Sequence, residues 1–142
     1  MQSPEFVASF GGAEANVAVA LAQFGLPSAY ITVLPERNPI ADDAIADLRR
    51  FGVGASKIVR GKGRMGTYYV EAGTNQRPSK VVYDHEHTAI ALAKCGDVNW
   101  SQTLERASWF HLTGITPAIS ASAADLALEA VRKAKDMGIT VL

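Results

Sequence analysis

A glycine pair that opens directly into a long run of small and apolar residues constrains the fold of this chain more than any other sequence feature. Gly11 and Gly12 let the backbone turn sharply and leave no Cβ to keep a ligand away. Residues 15–24 then predict a helix, which Gly25 ends with Pro27 just beyond it. Because nearly every position in this run is small or apolar, we expect the helix to be buried on almost all sides.

Asn16 is the uncharged polar residue in the first two turns of this helix. Its amide can both donate and accept hydrogen bonds, which suits a buried site that holds a polyol. A second interpretation stays open, in which Asn16 is a hydrogen-bonded core residue of a packed helix. Both interpretations predict that the Asn16 side chain is buried.

The charge balance and the cysteine content exclude several classes of protein. The chain has 142 residues, and its 14 Lys and Arg balance its 14 Asp and Glu, so no excess of positive charge indicates nucleic-acid binding. Cys95 is the one cysteine, which excludes an internal disulfide or a cysteine metal cluster. Residues 1–10 do not resemble a signal peptide, and no apolar run approaches the roughly 18 residues that span a bilayer. We expect a cytoplasmic protein without a membrane or nucleic-acid partner.

Helix-like and strand-like segments alternate along most of the chain. Residues 29–34 are β-branched and aromatic, which predicts a buried strand, and the apolar stripe within 40–51 predicts the next helix. Such alternation predicts an α/β domain with parallel strands covered by helices. The remaining predicted segments are strands at 57–59, 109–113 and 139–142, a short apolar segment at 88–93, and helices at 97–107 and 122–137.

Two residues in the second half of the chain carry specific expectations. Ser122 and Asp125 form an S-x-x-D pattern that predicts the N-terminal cap of the helix at 122–137. His111 lies within a predicted core strand, so we expect an interior, hydrogen-bonded histidine.

A predicted hairpin interrupts the alternation. Residues 66–71 and 79–84 are strand-like and flank a polar turn at 72–78 that contains Gly, Asn and Pro. An antiparallel insertion of this kind forms a flap or a small second sheet. His85 and His87 follow it, but two histidines without further ligands indicate polar flap residues rather than a metal site.

Four segments together resemble one enzyme family. The run Gly-Gly-Ala-Glu-Ala-Asn-Val-Ala-Val-Ala at 11–20 resembles the first signature of the ribokinase-like (PfkB) carbohydrate kinases. The segments at 64–69 (RMGTYY), 77–84 (RPSKVVYD) and 110–117 (FHLTGITP) narrow the resemblance to the 2-keto-3-deoxygluconate kinase branch. The resemblance covers nearly the whole chain. It implies a ribokinase-like α/β domain with a flap hairpin at about 64–87 that closes over the sugar.

The resemblance also implies chemistry, namely phosphorylation of a sugar-acid hydroxyl by ATP and Mg²⁺ in the full-length family member. The expected partner is therefore a small-molecule sugar or sugar acid. Where the family has an arginine for the substrate carboxylate, this chain has His85, which lacks a permanent charge. The other family sugar contacts fall on the glycine pair, the helix asparagine and two flap tyrosines: Gly11, Gly12, Asn16, Tyr68 and Tyr83.

Two family features are absent from these 142 residues. No Gly-Ala-Gly-Asp motif with the catalytic aspartate occurs, and the family's first strand would precede Met1. We therefore expect a C-terminally truncated chain that has no catalytic residue of its own, binds ATP and Mg²⁺ weakly or not at all, and lacks activity alone. We also expect homo-oligomers through the flap or an exposed sheet edge, because the strand at 139–142 would be unpaired.

Two alternatives to a kinase fragment stay open. In the first, the chain is a non-catalytic module derived from the kinase fold that binds a sugar or has a regulatory role. In the second, it is a dinucleotide-binding α/β domain. The sequence disfavours the dinucleotide site, because Gly-Gly-x-x-x-Asn is not G-x-G-x-x-G and no acidic residue follows at the required spacing.

Overall fold

The predicted alternation of helices and strands is present in the computed structural model, which describes residues 5–142. No helix in this part of the chain is long and apolar enough to cross a membrane. The elements, in chain order, are α1 (Ala13–Gln23), β1 (Val33–Pro35), α2 (Pro39–Arg50), β2 (Val59–Gly61), β3 (Thr67–Glu71), β4 (Lys80–Asp84), α3 (Ala89–Leu92), α4 (Trp100–Thr103), β5 (Trp109–Phe110), α5 (Ile115–Ile119), α6 (Ala121–Asp136) and β6 (Thr140–Val141).

The strands pair two by two. β1 and β2 are parallel, as are β5 and β6, whereas β3 and β4 form an antiparallel hairpin. The predicted parallel pairing and the predicted hairpin are both confirmed. The expectation of an unpaired strand at 139–142 is wrong, because β6 lies beside β5 and Leu142 N donates to Phe110 O at 3.0 Å.

The main core lies beneath α6 and contains residues of β1, α3, α4 and β5. α6 buries small and apolar side chains at positions three or four apart, so its apolar stripe faces this core. A smaller cluster joins α1 to α2. Its buried members are Ala15, Ala18, Leu48 and Val53.

Burial of α1 differs from the prediction. Ala15 and Ala18 are its buried residues, whereas Val17 and Leu21 are 36% and 38% exposed. The helix therefore packs on one side and is not buried all round. A run composed almost wholly of small and apolar residues has no polar face that marks the outward side, so its sequence did not reveal the orientation.

His111 and Trp109 are exposed, and the prediction of an interior histidine is wrong. The reason is the alternation of side chains along a strand. Phe110 points into the core and is 8% exposed, so its two neighbours in sequence point the opposite way.

Several helix ends also differ from the prediction. Ser120, not Ser122, caps α6, because Ala123 N donates to Ser120 Oγ at 3.0 Å while Ser122 Oγ donates to Ala91 O. α4 is shorter than the predicted helix at 97–107. It begins after Asn99, whose side chain caps it by accepting from Gln102 N, and it ends at Thr103. The chain between β5 and α6 contains α5, a short helix that no sequence pattern indicated.

Candidate functional site

We call residues 64–87 the flap. The end of the flap that carries Tyr68 contacts the glycine pair that precedes α1. A Cβ placed on Gly11 would lie 2.9 Å from the Tyr68 hydroxyl oxygen and 3.7 Å from Asn16 Oδ1. A glycine is therefore required if the tyrosine hydroxyl is to approach this closely. Tyr68 lies more than 50 positions away from Gly11 and Asn16 in the sequence, and the fold brings these three predicted site residues together.

Gly12 and Asn16 define the first turn of α1. Gly12 is the N-terminal cap residue of the helix and has a φ of 156°, which favours glycine. Asn16 N donates to Gly12 O at 2.8 Å, so the backbone of the asparagine is fixed by the glycine. The Asn16 side chain is exposed, so the prediction that it is buried is wrong. An exposed amide beside the Tyr68 hydroxyl is accessible to a ligand.

Tyr68, Tyr83 and His85 form a continuous series of rings along one face of the flap. Tyr68 of β3 lies directly opposite Tyr83 of β4 in the antiparallel ladder, and their ring centroids are 6.1 Å apart. The His85 ring stacks on Tyr83 with centroids 5.5 Å apart and an interplanar angle of 27°. Both tyrosine rings are substantially exposed, at 44% and 67% for the two residues. This aromatic face can pack against a sugar ring and offers hydroxyl groups as hydrogen-bond partners.

The base of the flap is fixed to α3. Arg64 N donates to His87 O at 3.2 Å, and Ala89 N donates to Arg64 O at 3.0 Å. Arg64 also forms an ion pair with Asp84 at the end of β4. Thr88, which is 1% exposed, donates from Oγ1 to His85 O at 2.9 Å. The backbone of His85 is therefore held at the root of the flap.

Glu14 is a residue of this region that sequence reasoning missed. Its Oε1 accepts hydrogen bonds from Thr113 N at 3.2 Å, Thr113 Oγ1 at 2.6 Å and Thr116 Oγ1 at 3.3 Å. The carboxylate thus connects the first turn of α1 to the segment that joins β5 and α5. An acidic residue in a first helical turn is a common sequence feature, so this pattern does not identify its distant partners.

The electrostatics around Glu14 favour its ionised form. Burial acts to raise the pKa of the Glu14 carboxyl, but the hydrogen bonds from Thr113 and Thr116 and from backbone amides outweigh burial and lower that pKa. Burial and the nearby Glu14 charge raise the pKa of the Tyr30 hydroxyl, against a hydrogen bond with Thr32. Tyr30 therefore stays neutral near an anionic carboxylate.

The histidines of the chain do not assemble into a metal centre among the described residues. His87 lies 3.4 Å from Glu86, and both side chains are mostly exposed. Across residues 5–142, no group of three or more His, Cys, Asp or Glu side chains is placed to hold a metal ion. The imidazole of His85 belongs instead to the aromatic face of the flap.

Comparison with known proteins shows the family to which this chain belongs. The model of the pfkB family carbohydrate kinases matches residues 1–142. The 2-dehydro-3-deoxygalactonokinase of Haloferax volcanii is 33% identical over 129 residues, which is 91% of this chain and 40% of the relative. The crystal structure of the 2-dehydro-3-deoxygluconokinase of Thermotoga maritima superimposes with a TM-score of 0.93 and 46% identity, over 99% of this chain and 43% of that one.

A third relative extends the comparison. A PfkB family carbohydrate kinase from Listeria grayi has a TM-score of 0.85 and 40% identity, over 92% of this chain and 41% of that chain. This chain spans between 40% and 43% of the length of these three proteins. The predicted resemblance and the ribokinase-like α/β fold are confirmed. The chain belongs to the pfkB family of carbohydrate kinases.

Proposed function

We propose that this chain forms the sugar-acid-binding part of an ATP-dependent kinase that phosphorylates 2-keto-3-deoxygluconate or a closely related sugar acid. The observation that carries the proposal is that Gly11, Asn16 and the Tyr68 hydroxyl lie close together where the flap contacts the glycine pair. Kinases named for 2-dehydro-3-deoxy sugar acids among its relatives support the substrate class.

Each proposed contact has a chemical role in binding a polyol. The Asn16 amide donates to one hydroxyl and accepts from another, and the Tyr68 hydroxyl supplies a further donor or acceptor. The Tyr83 ring packs against the carbon face of the sugar. Gly11 leaves room for the Tyr68 hydroxyl, and Gly12 leaves room for the sugar to approach the backbone. These contacts orient the hydroxyl that is to be phosphorylated, and positioning is the main protein contribution to phosphoryl transfer.

MgATP supplies the phosphoryl group in such a reaction, but the described residues do not fit this cofactor. Residues 5–142 hold no acidic cluster placed to bind a metal ion, and the sequence contains no Gly-Ala-Gly-Asp motif. We therefore assign no catalytic residue and no step of the transfer to this chain. Alone, it is proposed to bind the sugar acid without turning it over.

The test is calorimetric titration of the 142-residue protein with 2-keto-3-deoxygluconate and with a neutral ketohexose. We expect the acid to bind about tenfold more tightly, because a histidine that donates to a carboxylate makes a charge-assisted hydrogen bond. A coupled assay with ATP should detect no turnover. If neither sugar binds, the proposal of a sugar site is contradicted. If the 142-residue protein turns over the sugar acid above background, the proposal that it binds without catalysis is contradicted.

His85→Arg is the variant that tests the carboxylate contact in the same titration. Arginine carries a permanent charge and a forked pair of donors, so the acid should bind about tenfold more tightly while the ketohexose is unaffected. His87→Arg is the matched control, since it adds the same charge to an exposed position two residues away. If both variants tighten the acid equally, general charge attraction explains the effect and His85 is not the contact.

We also propose self-association through the face of the flap that points away from its tyrosine–histidine rings. Tyr69 and Val82 are directly paired on that face and are 40% and 55% exposed, so they offer an apolar surface for contact with a second copy of the chain. Val82→Lys should shift the protein to monomers in sedimentation velocity experiments. Val81→Lys, on the opposite face, is the control and should leave the association unchanged. A wild-type protein that stays monomeric at high concentration would refute this proposal.

A further inference from the structure

The first turn of α1 packs through Ala15 in the cluster with Leu48 and Val53, but few polar interactions fix it. Gly12 caps the helix without a side-chain hydrogen bond, and Val17 faces solvent. Farther along the helix, Ser28 Oγ donates to Ala18 O at 2.8 Å. Glu14 therefore makes the polar connection between the first turn, which carries the proposed sugar contacts, and the distant segment around Thr113.

The hydrogen bonds between Glu14 and Thr113 join two parts of the chain that are distant in sequence, and the Thr113 hydroxyl has a defined direction of donation. Thr113 Oγ1 lies 3.2 Å from Ile115 N, from which it accepts, and it donates to Glu14 Oε1 at 2.6 Å. The hydroxyl therefore has a fixed orientation between the start of α5 and the carboxylate. The two residues that share this bond are 99 positions apart in the chain. Rotation or displacement of the first turn of α1 would break several charge-assisted hydrogen bonds at once.

We propose that Glu14 is a positioning residue that holds Gly11, Gly12 and Asn16 in the geometry required for sugar binding by anchoring them to Thr113. The expected effect on sugar binding rests on the proposed function, whereas the hydrogen bonds between Glu14 and Thr113 do not depend on a ligand. Glu14 acts through the backbone and through Thr113, and it need not contact the sugar.

The experiment combines amide hydrogen exchange with sugar titration of the 142-residue protein. Glu14→Gln keeps the shape of the side chain and one acceptor oxygen but removes the charge. We expect exchange of the Thr113 and Asn16 amides to accelerate about tenfold, since bonds to charged groups contribute the most to local stability. The dissociation constant for 2-keto-3-deoxygluconate should rise by a similar factor. Asp47→Asn, which removes a carboxylate from the Arg50 ion pair on α2, is the matched control and should change neither quantity.

A double-mutant cycle with Thr113→Val separates positioning from direct contact. If Glu14 acts through Thr113, the double variant should bind the sugar acid no more weakly than the worse single variant. Additive losses would indicate separate contacts and overturn the proposal. Uniform acceleration of exchange through α6 would indicate global destabilisation and would also overturn it. If wild-type protein binds no sugar acid but Glu14→Gln accelerates exchange only at Asn16 and Thr113, the proposed function fails and the anchoring stands.

Discussion

Gly63→Ala should destabilise the protein by about 2–5 kcal/mol, the sum of backbone strain and steric overlap. Gly63 has a φ of 123°, a conformation that residues with a Cβ rarely adopt. A Cβ at this position would lie 2.7 Å from Ala89 N and 3.0 Å from His87 O. These are backbone atoms, which cannot rotate away as the end of a side chain can.

The substitution should also release the flap. Ala89 N donates to Arg64 O at 3.0 Å, and this bond joins the root of the flap to α3. A methyl group pressed against Ala89 N would separate the two. We therefore expect lower midpoints in urea denaturation together with faster proteolysis within residues 72–78 under native conditions.

Gly25→Ala provides the matched control for Gly63→Ala. Gly25 has a φ of 78°, but no atom lies within 4 Å of its Cβ position, so alanine there should cost only about 1 kcal/mol of backbone strain. A loss of stability at Gly63 no larger than that at Gly25 would contradict the steric argument. Such a result would mean that the backbone around Ala89 shifts readily to accept the methyl group and that the base of the flap is not held rigidly against α3.

Local sequence signals were sufficient for the elements that depend on local interactions. The apolar stripe within 40–51 predicted α2 and its buried face. The β3–β4 hairpin likewise follows from two alternating runs and a polar turn. In both cases the residues that determine the structure are near neighbours in sequence.

Features that depend on distant packing could not be predicted in this way. Nothing in the sequence around Glu14 indicates that Thr113 lies above the first turn of α1, because that contact exists only after β5 is placed in the fold. The exposure of His111 follows from which face of a two-residue strand meets α6, and two residues show no periodicity. The family resemblance supplied the proposed site residues, but the close approach of Gly11 to the Tyr68 hydroxyl depends on how the flap packs against α1.

Gly11→Ala should weaken sugar-acid binding by about tenfold to a hundredfold, a loss of about 1.4–2.8 kcal/mol of binding free energy. The free energy of unfolding should change by less than about 0.5 kcal/mol, as for most surface substitutions. The difference arises from what the new methyl group meets. Its nearest neighbour is the Tyr68 hydroxyl at 2.9 Å, the free end of a side chain that is 44% exposed and can swing outward. The protein then remains folded, but the hydroxyl leaves the position that we propose for the sugar contact.

Tyr68→Phe and Asn16→Ala complete the design of the Gly11→Ala experiment. Tyr68→Phe removes the hydroxyl without adding bulk, so if Gly11→Ala acts by displacing it, the double variant should bind little more weakly than Gly11→Ala alone.

Asn16→Ala should weaken binding by about 1–3 kcal/mol, the cost of an unpaired polar partner, with little change in melting temperature because its side chain is exposed. Calorimetry and thermal denaturation of the same samples separate the two effects. Full sugar affinity in Gly11→Ala would show that the flap does not close on the glycine pair, whereas a collapse of the melting temperature in Asn16→Ala would show that the asparagine supports the fold and not the ligand.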